Sequence, residues 1–262
     1  MPEIKPISKS RLKYFSRLSQ KKYRQEEKKF LIEGVHLVEE VVKSGWKLEE
    51  LVVSDDFLGK WKKSADLADT EVFCASASDF RKISETVSSQ GIIGLVAAKQ
   101  YSVPDLWQSA SSGALIVALD GLADPGNVGT ILRTCDWFGV DFVLISENSV
   151  ELFNPKVVRS TMGSLFHLPV ISGVDLPEVL KVAGKHGFRI ISATSSGGKP
   201  LAGYRFPRKT IIVFGNEAHG VSAEVGKIAD VAVTVPRYGN AESLNVSVAC
   251  GVVLSRIKGC TR

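Results

Sequence analysis

Three short stretches carry side chains able to grip, orient and polarise a reacting group. The first holds Asn127 and Arg133, six positions apart in PGNVGTILR. A guanidinium presents a flat fork of donors that suits a phosphate, and it surrenders a proton too reluctantly to act as a simple base. The second is GNEAHG at 215–220, where Glu217 is either a solvated loop carboxylate or a partner that steadies Arg133. His219 in the same loop reads as incidental. The third is SLN at 243–245, where a loop rich in Gly, Asn and Ser meets a run of small apolar residues. Ser243 is the expected N-cap of a final helix over 243–257, accepting from backbone N–H groups that the first turn leaves free. Such a junction offers a ligand backbone amides and a positive dipole end. Asn245, among Leu244, Val246 and Val248, requires hydrogen-bond partners wherever it is buried.

Other chemistries lack their residues. The chain contains no G-x-G, so no dinucleotide fingerprint, and neither a G-x-x-x-x-G-K-[ST] phosphate loop nor a G-x-S-x-G elbow. Cys74, Cys135, Cys250 and Cys260 form no C-x-x-C pair, and no histidine stands at zinc spacing to them. Free, mostly buried thiols are expected, with Cys260 exposed near the end, and no metal site.

Each chemical stretch follows a strand-like run. Strands are expected at 114–120, 141–146, 188–194, 210–214 and 231–235, and helices at 127–138, 155–162, 175–186 and 243–257. Asn127 then falls at or near a helix N-cap. The alternation predicts a mostly parallel sheet with helices on both faces and ligands at the strands' C-terminal ends. Upstream, strands at 30–34, 48–54, 71–75 and 91–98, with helices at 35–44 and 78–85, predict a smaller α/β domain over 1–99. Residues 100–113 (QYSVPDLWQSASSG) lose periodicity and read as a linker to a domain over 114–262.

With 262 residues, 44% hydrophobic and 23% charged, the chain has the composition of a globular protein of two modest domains. No apolar run is long enough to cross a bilayer, and the basic start lacks a following apolar segment, so a cytosolic setting is expected. The net charge of +5 is modest, but ten Lys and Arg against three Glu lie in the first thirty residues. Leu12, Phe15 and Leu18 at helical spacing dock that segment and leave its lysines outward, facing solvent or a polyanion.

Together N-x-G-x-x-x-R at 127–133, G-N-E-x-x-G at 215–220 and S-L-N-V-S-V-A at 243–249 resemble the three signature motifs of the SPOUT superfamily, in its SpoU (TrmH-like) branch. The resemblance is strong over 112–258. It extends loosely to FLIEGVHLVEEV at 30–41, which is similar to that branch's small substrate-binding domain. It implies an RNA ribose 2′-O-methyltransferase that uses S-adenosylmethionine, with a deep trefoil knot in the C-terminal domain, a homodimer, and no DNA or membrane partner. Asn127, Arg133, Glu217 and Asn245 would be catalytic. Thr194, Gly215, Asn216, Gly220, Val235, Pro236, Ser243 and Leu244 would hold the cofactor. Lys9, Arg11, Lys21, Lys22, Arg24, Arg159, Ser160 and Arg237 would meet RNA. The extra N-terminal domain favours ribosomal RNA over tRNA, and a non-catalytic RNA-binding protein is the remaining alternative. One departure is Arg237-Tyr238, where that branch usually has Met or Leu and then a small residue.

Overall fold

The computed structural model describes residues 3–59, 67, 69–110 and 112–259. It divides into two units, one of residues 1–99 with Phe153–Phe166, the other of Gln100–Leu152 with His167–Arg262.

The first unit starts with strand β1 (Ile4–Pro6) and helices α1 (Lys9–Arg17) and α2 (Lys21–Glu27). Next come β2 (Lys29–Glu33), α3 (Val35–Ser44), β3 (Leu48–Ser54), α4 (Asp55–Leu58), β4 (Glu71–Ala75), α5 (Ala77–Phe80) and β5 (Ile92–Ala97). The sheet order is β1-β4-β3-β5-β2, with β5 antiparallel to both β2 and β3. Leu12, Phe15 and Leu18 are buried against Val52, Phe80, Ile93 and Leu95, so the basic segment does dock by its apolar side.

The second unit opens with α6 (Val103–Ser109), in the stretch expected to be a linker. A reciprocal cap fixes its start: Asp105 N–H donates to Ser102 Oγ, and the Asp105 carboxylate accepts from Ser102 N–H. Leu106 is fully buried in that unit's core, which is why this stretch is ordered structure. Then follow β6 (Ala114–Asp120), α7 (Pro125–Trp137) and β7 (Phe142–Ser146). Helix α8 (Pro155–Ser160) belongs to the first unit. The remainder is β8 (Val170–Val174), α9 (Leu176–Lys185), β9 (Arg189–Thr194), β10 (Lys199–Pro200), β11 (Lys209–Gly215), α10 (Ala223–Ile228), β12 (Val231–Thr234) and α11 (Val246–Gly259).

Its seven strands run β10-β12-β9-β11-β6-β7-β8, every adjacent pair parallel. All seven residues of β6 are buried, as parallel strands covered on both faces require. Because the strands are parallel, the segments after β6, β9, β11 and β12 leave from one edge of the sheet. Strand β8 was not expected; it is short, carries Gly173 at φ +73°, and pairs through a register shift at Ile145/Ser146.

Candidate active site

Two side chains tie the loops after β6 and β11 together, and a third ties the β6 loop to the end of β7. Asp120, 4% exposed at the end of β6, accepts from Ser222 N–H at 2.7 Å. Asn216 Nδ2 donates to Gly121 O at 2.8 Å, while its Oδ1 accepts from the N–H groups of Ala218 and His219 at 2.9 and 3.2 Å. Ser146 Oγ accepts from Gly121 N–H at 2.9 Å. Gly215 has no room for a side chain, since a Cβ there would overlap the backbone of Gly220 and Val221. Gly220 closes the turn at φ +71°, donating its N–H to Asn216 O at 2.8 Å.

On this frame three polar side chains form a directional relay. Asn245 Oδ1 accepts from Ser247 N–H at 2.9 Å, Ser247 Oγ–H at 2.5 Å and Val248 N–H at 3.4 Å. Asn245 is therefore the cap of α11, which begins at Val246. Ser243, expected to cap, lies exposed in the preceding loop; an asparagine directly before the helix takes the role. With its oxygen committed to the helix, the Asn245 amide turns Nδ2 towards Asn127 Oδ1, 3.0 Å away. Asn127 Nδ2 then faces Glu217 Oε1 at 2.9 Å. Each amide's orientation follows from the one before, and the series ends on a carboxylate.

Asn127 is not an N-cap. Asp124 caps α7, its Oδ1 accepting from Asn127 N–H at 2.7 Å, which frees the Asn127 side chain for the relay. Arg133 lies on the same helix six residues on, about 240° further round the axis, and it is exposed. Among the described residues no hydrogen bond or ion pair engages it, so Glu217 supports Asn127 where support of Arg133 was expected.

Helices α7 and α11 run parallel and side by side. Asn127 meets Asn245 at their starts, a Cβ on Gly251 would lie 3.8 Å from Thr134 Cγ2 midway, and Lys258 Nζ donates to Gly139 O at their ends. Between them Cys135 and Cys250, both fully buried, share a thiol hydrogen bond. Burial pushes the Cys135 thiol pKa well up, so it is an inert packing group. Cys74 is also a free thiol; Cys260 lies outside the described residues.

The residues proposed for a cofactor share the same edge. Thr194, which pairs with Thr234 at the ends of β9 and β12, donates its hydroxyl to Ser196 O at 2.9 Å. Val235 and Pro236 follow β12 directly and are partly buried. Leu244 is 48% exposed, an open apolar side chain beside the Asn245 relay.

The basic residues divide. Lys9, Lys21 and Lys22 are exposed. Arg24, expected at an RNA surface, is turned inward: it is 5% exposed and donates Nη1 to Leu18 O and Ser19 O at 2.8 and 2.6 Å, stapling the α1–α2 turn. Arg11 is engaged by Glu50, donating Nε at 2.6 Å with a second contact through Nη2. A run of cations does not reveal which members are held by the protein's own acceptors. Arg159 stands 3.9 Å from Glu85, and Ser160 Oγ donates to Lys156 O. Arg237 is exposed, with Nη1 3.4 Å from Ala241 O. Asp120, Asp124 and Ser247 escaped the sequence reading; an aspartate closing an apolar strand, and another just before Pro125, were the available signals.

Among the described residues no group of three His, Cys, Asp or Glu could hold a metal ion, and no helix is long and apolar enough to cross a membrane.

Comparison with known proteins gives two family matches. Residues 114–255 match the SpoU rRNA Methylase family, and residues 9–94 match the MRM3-like substrate binding domain. The chain is 32% identical over 261 residues to the 23S rRNA (guanosine(2553)-2′-O)-methyltransferase RlmP of Bacillus subtilis, covering 99% of this chain and 100% of that protein. It is 32% identical over 189 residues to the 23S rRNA (guanosine-2′-O-)-methyltransferase RlmB of Neisseria meningitidis, covering 71% and 76%. Among solved structures, a putative RNA methyltransferase of the TrmH family from Porphyromonas gingivalis superposes with TM-score 0.83 at 30% identity, over 96% and 98% of the two chains. An AdoMet-bound rRNA methyltransferase from Sinorhizobium meliloti shares the fold, with TM-score 0.86 at 24% identity over 99% of each chain.

Proposed function

Since the chain belongs to the SpoU rRNA methylase family, we propose that it methylates a ribose 2′-hydroxyl of ribosomal RNA, with S-adenosylmethionine as methyl donor. The observation that carries this reading is the relay Asn245–Asn127–Glu217 at the sheet's C-terminal edge, with Asn127 on the same helix as the unengaged Arg133.

The residues present suit that donor. The backbone of the 216–220 turn, which Gly215 lets close against the end of β11, and the apolar Val235 and Leu244 together match a nucleoside with a short polar tail. S-adenosylmethionine supplies an electrophilic methyl group. The chain's own residues must position the attacking oxygen. The Arg133 guanidinium would grip the phosphate beside the target ribose in a bidentate manner and steady charge as the oxygen attacks. The relay holds Asn127 and Asn245 in one amide orientation, so their positions cost no reorganisation during reaction. The hydroxyl proton is assigned to a substrate phosphate, because arginine is a poor acceptor.

Lys9, Lys21 and Lys22 are proposed as phosphate contacts of the N-terminal unit, with Arg159, Ser160 and Arg237 as further RNA contacts. Ribosomal RNA is favoured because the substrate-binding match spans 9–94 and because RlmP, which spans the whole chain, is named for 23S rRNA. We further infer a cytoplasmic homodimer with a knotted C-terminal domain. Trp137 on α7 and Val248 and Val252 on α11, 85%, 52% and 39% exposed, are the apolar surface supporting a subunit contact. Sedimentation of Val252→Glu tests it: a dimer that becomes a monomer is expected, and a monomeric wild type refutes it.

The decisive experiment is transfer of labelled methyl from S-adenosylmethionine to total RNA from cells lacking the gene, followed by digestion to nucleosides. A 2′-O-methylnucleoside confined to ribosomal RNA is expected. Label in tRNA alone overturns the substrate, and no label overturns the activity.

A further inference from the structure

We propose that Tyr238, with Arg237 beside it, is a stacking platform for an unpaired nucleobase adjoining the methylated ribose. This rests on the methyltransferase reading above and assigns the loop a part in choosing the RNA.

Tyr238 is 96% exposed, whereas Phe15, Phe30 and Phe214 are buried to within 1%. The ring stands in the loop between β12 and α11, four residues after Thr234 and seven before Asn245. Both ends of that loop are anchored. Thr234 pairs with Thr194 in the sheet, and Asn245 caps α11 and binds Asn127. Arg237 Nη1 reaches back to Ala241 O, folding the loop on itself. The phenol ring thus stands on a loop anchored at both ends, one end being the relay residue Asn245, and it follows Arg237 directly in the chain.

The chemistry of the target explains the pairing. An unpaired nucleotide can turn its 2′-hydroxyl towards the relay while its own base and that of its neighbour remain free of pairing partners. Splayed bases in RNA are held by stacking on aromatic rings or guanidinium planes. Every base offers a π-face to a ring, and the neighbouring cation meets the flanking phosphate. A small residue at 238 could supply neither face nor area.

The test compares wild type with Tyr238→Ala, Tyr238→Phe and Tyr238→Trp. The probes are large ribosomal subunits and their extracted RNA, both from cells lacking the gene. Tyr238→Ala should raise the KM for RNA by about 5- to 150-fold, the range for losing one stacked base. Tyr238→Phe and Tyr238→Trp should stay within about twofold, because the face and not the hydroxyl is used. S-adenosylmethionine affinity by calorimetry, melting and sedimentation should match wild type in all three. A wild-type KM in Tyr238→Ala overturns the platform, as does parallel loss of S-adenosylmethionine affinity or of subunit association. A wild-type protein that labels neither probe refutes the ribosomal-RNA reading on which the platform rests, and the platform with it.

Discussion

Asn245 and Asn127, 118 residues apart in the chain, are joined by a hydrogen bond of 3.0 Å between their side-chain amides. Asn245 closes the first turn of α11 through its oxygen and reaches Asn127 through its nitrogen, so one side chain carries a structural and a positioning role on different atoms. The two roles separate by substitution. Asn245→Asp retains an acceptor for Ser247 and Val248 and adds a negative charge at a helix start. It loses the donor to Asn127. Its melting temperature should equal or exceed that of wild type while methyl transfer falls at least about tenfold. Asn245→Ala should lose about 0.5–2 kcal/mol of stability with the cap and on the order of 10²-fold in rate. Full activity in the aspartate variant would show that the link to Asn127 is dispensable.

Arg133 is the exposed cation of the site and touches nothing that holds it among the described residues. Arg133→Lys preserves charge but not the fork. Single-turnover methylation should slow by roughly 10- to 100-fold, the scale of one lost transition-state contact, with melting unchanged. An unaltered rate would sink the phosphate-grip role.

The N-terminal cations divide into two experimental classes. Arg24→Ala strips the carbonyls of Leu18 and Ser19 of a buried donor and should cost about 1–3 kcal/mol of stability. Lys21→Gln with Lys22→Gln should leave melting nearly unchanged, since the Lys22–Glu26 pair is exposed. If both lysines meet phosphates, the slope of log K against log salt should shrink by about 1.4–1.8. An unchanged slope assigns them to solvent.

Glu85 gives a pH prediction. Partial desolvation, with a smaller push from Glu33, raises its pKa above the ordinary 4.5 against the lowering influence of Arg159 and Arg24. A carboxyl whose folded value is raised contributes stability below the ordinary value and loses it as pH rises through the raised one. At neutral pH the ionised group is therefore a net burden. Glu85→Gln should melt higher than wild type at pH 7, and the gain should vanish near pH 4. A variant less stable at pH 7 would mean that the pairing with Arg159 outweighs the desolvation.

Much of this was legible in the residues. The run ALIVALD has the limits of β6, because a parallel strand covered on both faces reads as a near-continuous apolar stretch, and LEELVVS has those of β3 through its apolar second half. Cap placement was not, since Ser243 and Asn245 are equally good caps two residues apart and tertiary contact with Asn127 decides between them. Helix α6 was missed although Ser102-x-x-Asp105 marks its start; the Ser-rich tail outweighed the cap. That Glu217 would serve Asn127 depends on a loop-to-helix distance that no local pattern encodes.

Segment Phe153–Phe166 belongs to the first unit although the chain has by then built four elements of the second. Phe153 stacks on Phe30 at 4.5 Å between ring centroids, Phe166 packs edge-on to Trp46 at 5.3 Å, and Trp46 Nε1 donates to Phe166 O at 3.1 Å. During vectorial synthesis, residues 1–99 must therefore wait, with Phe30 and Trp46 lacking these partners, until residue 166 has emerged. The N-terminal unit is first in position but cannot be first to finish, and a chain cut after residue 99 would expose aromatic surface prone to self-association.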